Sequence, residues 1–310
     1  MVMFTHIKSK QFILLFLLLT TVLMPLHAKP GCGEDGVWLQ VLGSGGPELN
    51  DGRASSGYLI WLNGKARLLI DMGTGSLLRF EQSGADLSDL DIILMSHFHV
   101  DHANDLPALL KASYFTSRKK DLVLYGPTGN QLIPSASLFV QALFGKTGAF
   151  KYLNSYLDGT DDYRLLAHDV NAENKVIQKI KTALPYKLSS VAVHHGPIPS
   201  LAWRVEIAGK VLVFSGDMNN KYDTLPLLAT KADILIAHHA IPESATGVAR
   251  NLHMPPSIIG KIAAKANVKQ LVLSHHMNRT LNEFSNSERL IRQAYSAKLA
   301  FAADLQCFRP

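Results

Sequence analysis

The sequence is poor in features that would settle its class by themselves. Of 310 residues only two are cysteine, Cys32 and Cys307, and they stand near opposite ends. No lipobox precedes Cys32, which argues against a lipoprotein. In an exported protein such a pair suggests one disulfide tying the ends together, with two unpaired thiols as the alternative. Loop closure over so long a stretch stabilises by on the order of 4–5 kcal/mol. Long basic runs are absent and basic residues do not interleave with aromatics, so the net charge of +6 does not by itself argue for nucleic acid. Arg118-Lys119-Lys120 is followed directly by Asp121 and reads as a solvated loop. The glycine-rich stretch Gly43-Ser44-Gly45-Gly46-Pro47 has no helical pattern after it, so it is neither a dinucleotide nor a P-loop signature. Repeats and linkers are also missing.

One long apolar run is present. Phe12 to Met24 is almost unbroken, after a basic start at His6, Lys8 and Lys10 and before Pro25-Leu26-His27-Ala28. This is the layout of a secretory signal peptide, and the run is shorter than the roughly 20 residues of a spanning helix. An uncleaved anchor is the alternative. Cleavage after Ala28 removes Lys8 and Lys10 and no acid, so the net charge falls from +6 to +4. The expectation is a signal peptide at 1–28, no stable membrane span after cleavage, and a periplasmic or secreted product at 29–310. A homodimer is compatible with this reading.

Residues 29–310 alternate between strand and helix patterns. Strands are expected at Val37–Leu42, Gly57–Leu62, Ala66–Ile70 and Leu90–Met95, with Asn63-Gly64 as a hairpin turn. A short amphipathic helix carries Leu77, Leu78 and Phe80. A helix over 105–117 and a strand at Leu122–Tyr125 follow. From about 130 to 185 the pattern weakens, with helices at Ser137–Leu143 and Ala149–Leu157. This stretch reads as an insertion, a lid over a site or a packed excursion. Strands return at Ser190–His194, Leu201–Ile207, Lys210–Ser215, Asp233–Ala237 and Lys269–Ser274. Pro255-Pro256 opens a helix through Ala266, since proline suits a first turn. A helix at 285–297 and a strand over Leu299–Leu305 end the chain. The sum is one layered α/β domain.

The chemistry is concentrated in Ser96-His97-Phe98-His99-Val100-Asp101-His102, at the end of the strand over 90–95. Three imidazoles and a carboxylate within six residues are ordinary zinc donors at the density a metal pair needs. In an extended segment His97 and His99 point the same way, because side chains alternate. Asp101 and His102 follow as the chain turns and are free to face a second metal. Polar residues recur at other strand ends: His194-His195-Gly196, Ser215-Gly216-Asp217 and Ser274-His275-His276.

In motif order these residues resemble the metallo-β-lactamase-fold hydrolases. Asp71 in Leu-Ile-Asp-Met-Gly matches the first motif and His97-x-His99-x-Asp101-His102 the second. His195-Gly196-Pro197, Ser215-Gly216-Asp217 and Leu273-Ser274-His275 match the third to fifth. Within that superfamily the chain looks most like the ribonuclease Z and arylsulfatase-like branch. The resemblance implies an α/β fold, the four-layer αββα sandwich. It implies one zinc on His97, His99 and His195, and a second on Asp101, His102 and His275, with Asp217 bridging and Asp71 structural. Manganese or iron remain alternatives. The doublets leave His194 and His276 open as ligands; His195 is preferred because it precedes Gly-Pro, and His275 because it follows Ser274. Asp101 and His253 are the catalytic candidates. Asp101 would orient a hydroxide made at the metals, and His253 would contact the substrate or protonate the leaving group. His239 stands where the branch usually has glutamate, which puts the partner of His253 in question. The reaction expected is hydrolysis of a small-molecule phosphodiester or sulfate ester. A lactamase or lactonase, or a non-enzymatic zinc-binding protein, are the alternatives. Export argues against tRNA as a partner.

Overall fold

A computed structural model describes residues 32–310. The segment read as a signal peptide lies outside the described residues. In chain order the first half is β1 (Val37–Gly43), β2 (Gly57–Leu62), β3 (Lys65–Met72), α1 (Ser76–Gln82), β4 (Ile92–Leu94), α2 (Val100–Ala103), α3 (Leu106–Ser113), β5 (Leu122–Pro127), α4 (Ala136–Phe144), α5 (Ser155–Asp158) and β6 (Leu165–Val170). The second half is β7 (Gln178–Ile180), β8 (Lys187–His195), β9 (Ile198–Ile207), β10 (Lys210–Phe214), α6 (Leu225–Leu228), β11 (Ile234–His238), α7 (Gly247–Leu252), α8 (Pro256–Lys265), β12 (Gln270–Ser274), α9 (Asn278–Leu281), α10 (Phe284–Arg292), β13 (Lys298–Phe301) and β14 (Cys307–Phe308).

The strands form two seven-stranded sheets, ordered β14-β1-β2-β3-β4-β5-β6 and β13-β12-β11-β10-β9-β8-β7. Both are mixed. In the first, β1, β2 and β3 are antiparallel neighbours and β3 to β6 run parallel. In the second, β7 to β10 are antiparallel and β10 to β13 parallel. Period-two alternation then builds three apolar layers. Tyr58, Ile60, Leu68 and Ile70 of the first sheet meet Leu201, Trp203, Leu212 and Ile236 of the second between the sheets. The alternate residues Leu59, Trp61 and Leu69 face outward and are covered by α3 and α4 through Leu106, Leu109, Leu110 and Val140. On the far side Val213, Leu235 and Leu271 are covered by α6 and α8 through Leu225, Ile259, Ile262 and Ala263. Strands buried on both faces read as nearly continuous apolar runs. The result is the expected αββα sandwich.

Local chemistry sets the turns. Asn63 and Gly64 both have positive φ, 50° and 73°, as a two-residue hairpin of type I′ demands. Proline at the first position of α8 places its missing N–H where no helical partner exists. Cys32 and Cys307 form a disulfide with Cα atoms 5.8 Å apart.

Three stretches differ from the sequence reading. Residues 165–180 carry two strands that the pattern hides, because β6 and β7 are edge strands without clean alternation and His168 and Asp169 are exposed. They extend one sheet each, so the 130–185 stretch is built into both sheets. The helix expected over Ala149–Leu157 is broken into a 3-10 turn at Lys151–Leu153 and α5, after Phe150 at φ −114°, ψ 48°. The strand expected over Leu299–Leu305 stops at Phe301 as β13, and β14 lies beyond it in the other sheet. Among the described residues, no helix is long and apolar enough to cross a membrane.

Candidate metal centre

The site lies where one edge of the sandwich opens. His97 and His99 follow β4, and Asp101 and His102 sit on α2. His195 ends β8, Asp217 follows β10, His238 ends β11 and His275 follows β12. Each half is held by backbone devices. Asp71, at the end of β3, has φ 52°, and its carboxylate accepts from the Ser96 amide (2.7 Å), the Ser96 hydroxyl (2.7 Å) and His102 Nδ1 (2.8 Å). Asp71 therefore pins the histidine loop, as the resemblance implies. Gly73 explains the Asp-Met-Gly spacing: a Cβ there would lie 1.9 Å from the Asp101 carbonyl oxygen. Gly46 plays the same part for the glycine-rich loop, where a Cβ would come within 2.9 Å of the His275 ring. His275 itself adopts a left-handed φ of 55°, a strained backbone of the kind that gathers at functional sites.

The donors form two groups that share Asp217. His97, His99, His195 and Asp217 bring ligand atoms within 4.8 Å of one another, as do His102, Asp217, His238 and His275. In the first, His99 Nδ1 is 3.1 Å from His97 Nε2 and 3.3 Å from His195 Nε2, with Asp217 Oδ2 3.5 Å from His195 Nε2. Ligands about 2.05 Å from a tetrahedral zinc lie about 3.3 Å apart, so this spacing fits an ion. In the second, Asp217 Oδ1 lies 3.4 Å from His275 Nε2, and Asp101, outside the group itself, borders it with Oδ2 3.2 Å from His275 Nε2 and 3.5 Å from His102 Nε2.

Ring orientation fits as well. His195 Nδ1 donates to the Leu252 carbonyl (3.0 Å) and His102 Nδ1 pairs with Asp71, so each Nε2 faces the centre. Among the described residues, His102 Nε2 is buried with no hydrogen-bond partner. Such an atom is costly unless something satisfies it. Two clusters of this chemistry suit metal.

Electrostatics agree. Burial, with His102 and His195 close by, holds His97 well below the usual histidine range. Burial also lowers His99 and His195, with nearby imidazoles adding to the effect, so all three offer neutral nitrogens. Burial would raise Asp217, but the nearby His275, His253 and His102 and a hydrogen bond from His238 hold it well below the carboxylate range. For His102, burial is outweighed by Asp101 and Asp71, which raise it well above normal.

The sequence candidates are thus brought together: His97, His99, Asp101, His102, His195, Asp217 and His275 surround one centre. His253 lies beside it, with Nδ1 3.8 Å from Asp217 Oδ1, and burial lowers it to about 3, so it is neutral. His194 points away, half-buried against the Tyr222 ring at 5.2 Å. His276 also turns away from the centre and is buried, its Nδ1 3.2 Å from His239 Nδ1. His239, which stands where the resembling branch usually has glutamate, packs behind the second sheet, its Nε2 2.8 Å from Ser287 Oγ. The residue that faces the centre from that strand end is His238. Alternation along β11 puts the two histidines on opposite faces, and that is the signal that distinguishes them. A cavity of about 470 Å³ opens above these donor residues, walled by Pro47, Val248, Leu252, Met277 and Arg279. Arg279 was not legible as a site residue, because it follows the last motif on the short helix α9.

A family model described as the Metallo-beta-lactamase superfamily matches residues 50–256. The chain is 27% identical to a ribonuclease Z of Methanosarcina mazei over 280 residues, covering 77% of this chain and 87% of the relative. Among solved structures it is similar to the metallo-beta-lactamase fold protein YhfI from Bacillus subtilis (TM-score 0.70, 20% identity, 88% of this chain and 99% of that one). It is also similar to the short form of human tRNase Z (TM-score 0.66, 19% identity, 88% and 98%). Relatives with these names stand against the expectation that tRNA is not a partner. By the match over most of its length and by its sandwich, the chain belongs to the metallo-beta-lactamase superfamily and is a metal-dependent hydrolase.

Proposed function

We propose that the protein is an exported binuclear zinc hydrolase of phosphodiester or sulfate ester bonds. The observation that carries this reading is the Asp217 carboxylate, which touches both donor groups and leaves a cavity open above them. A bound metal pair would acidify water and take up negative charge on the substrate oxygen. His97, His99 and His195 would hold one ion, and Asp101, His102 and His275 the other. Asp101, buried at the edge of the cavity, is placed to accept a hydrogen bond from the attacking water as well as to bind. His253 forms part of the wall and offers a nitrogen to the substrate. Arg279 lies on the rim, its Nε donating to the Ala240 carbonyl at 2.7 Å, and its remaining N–H groups suit an anionic ester. Export rests on the basic start and apolar run before Ala28, and the Cys32–Cys307 bond suits an oxidising compartment.

A second reading, cleavage of RNA, is favoured by the relatives named ribonuclease Z. The test is a panel on the purified protein: bis(p-nitrophenyl) phosphate, a cyclic nucleotide, p-nitrophenyl sulfate, nitrocefin and a precursor tRNA, each with and without chelator. Chelator-sensitive turnover of a small phosphodiester or sulfate ester is expected. Turnover of nitrocefin alone, or of the tRNA alone, would overturn the first reading.

A further inference from the structure

His238 stands among the metal-holding side chains, yet both of its ring nitrogens are engaged. Nδ1 is 2.7 Å from Asp217 Oδ1, and Nε2 is 3.1 Å from the Tyr58 hydroxyl. That hydroxyl is also 3.1 Å from Ser274 Oγ. All four residues are buried. An ionised carboxylate can only accept, so Nδ1 carries the proton. Nε2 is then the lone-pair nitrogen, and it is turned against the Tyr58 hydroxyl, away from the donor groups. A ring fixed in this way presents no free lone pair to a metal, although proximity alone would count it as a ligand.

The neighbours of Asp217 show what the bond does. Oδ2 faces His195, His102 and His97 at 3.5, 3.7 and 3.9 Å. Oδ1 faces His275 at 3.4 Å and His253 at 3.8 Å. The His238 bond is the short contact on Oδ1, and it sets the rotation of the carboxylate that both donor groups share. Tyr58 belongs to β2 in the first sheet, while His238 and Asp217 belong to the second. The Tyr58–His238–Asp217 chain therefore ties the carboxylate to the opposite sheet. The His238 ring also stacks on His275, with centroids 4.8 Å apart.

We propose that His238 is a positioning residue for Asp217, anchored by the Tyr58 hydroxyl, and that it is not itself a metal ligand. The proposal rests on the metal-centre reading above. It makes metal binding depend on a tyrosine from the other sheet that touches no ligand directly.

The test is cobalt(II) titration of the full chain after chelator treatment, reading stoichiometry, affinity and the d–d absorption of the bound ion. His238→Leu is expected to weaken binding roughly 10–100-fold and to alter the absorption band, as loss of an outer partner does. His238→Asn places an amide N–H near the Nδ1 position and is expected to restore binding close to the parent value. Tyr58→Phe removes only the hydroxyl and is expected to fall between. Equal loss of one ion in the Leu and Asn variants would make His238 a ligand and overturn the proposal. Parent-like affinity and spectrum in Tyr58→Phe would also overturn it, and that variant decides the matter if His238→Leu does not fold. A parent protein that takes up no cobalt would overturn the metal-centre reading itself, whereas normal uptake with unresponsive variants would overturn the positioning role alone.

Discussion

The two halves of the centre are built by opposite strategies. The first sheet contributes His97, His99, Asp101 and His102 from one short loop and helix, all pinned by Asp71. The second contributes His195, Asp217 and His275 singly, from the ends of three separate strands. The first half is a local object: one loop and one short helix carry all four of its donors. The second exists only when β8, β10, β11 and β12 are in register and packed on the first sheet. A loop can be read from spacing, but a rim has to be folded.

The largest effect should come from the residue common to both. Asp217→Ala is expected to lower turnover by on the order of 1000-fold and to reduce bound metal by at least one ion per chain. Full metal content in that variant, measured by elemental analysis, would contradict a shared carboxylate. His97→Ala and His195→Ala then compare the halves directly, since they serve the same donor group from different sheets. Equal loss of metal from both is expected, and a deficit in only one would separate the halves. Asp71→Ala strikes the support of the first half. It leaves the Ser96 amide and His102 Nδ1 without their acceptor and is expected to cost about 3 kcal/mol, read by urea denaturation of the metal-free protein.

Acid should act on both halves. Folded His97, His99 and His195 have lowered affinities for protons, and burial takes His238 to about 4 and His253 to about 3. As pH falls through about 6.5, the unfolded chain binds protons that these five folded groups refuse, so stability is lost. His102 and His275 are raised and oppose this, because their charged forms are favoured in the fold and stabilise it below the same pH. Burial lowers His239 to about 4 and holds His276 well down too, so with seven groups against two the melting temperature of metal-free protein is expected to drop between pH 7 and pH 5. A rise would show that the two raised histidines dominate. The smallest effect belongs to His194→Ala, which should leave metal content and turnover within about twofold.

Legibility followed the same division. Asp71, the His97–His102 cluster and the strands flanking them stand out in the sequence, since apolar runs and dense donors need no knowledge of what packs where. Each of His195, Asp217 and His275 alone is a weak signal, and the motif order of the superfamily was needed to choose them. His238 is not legible as a site residue, because which of two adjacent histidines faces inward depends on how β11 sits in its sheet. Tyr58 reads only as a core aromatic until the opposite sheet brings His238 to its hydroxyl. The edge strands β6 and β7 were hidden for a related reason: one flank of each has no neighbour to impose a pattern.

The Cys32–Cys307 bond has a consequence beyond joining the two ends. Cys307 lies in β14, opposite Gln40 of β1, and β14 is only two residues long. It forms the outer border of the first sheet. A border so short offers an incoming chain almost no ladder on which to pair. The disulfide acts as a clasp on that border, and reducing it would free seven-residue β1 to serve as a template for a neighbouring molecule.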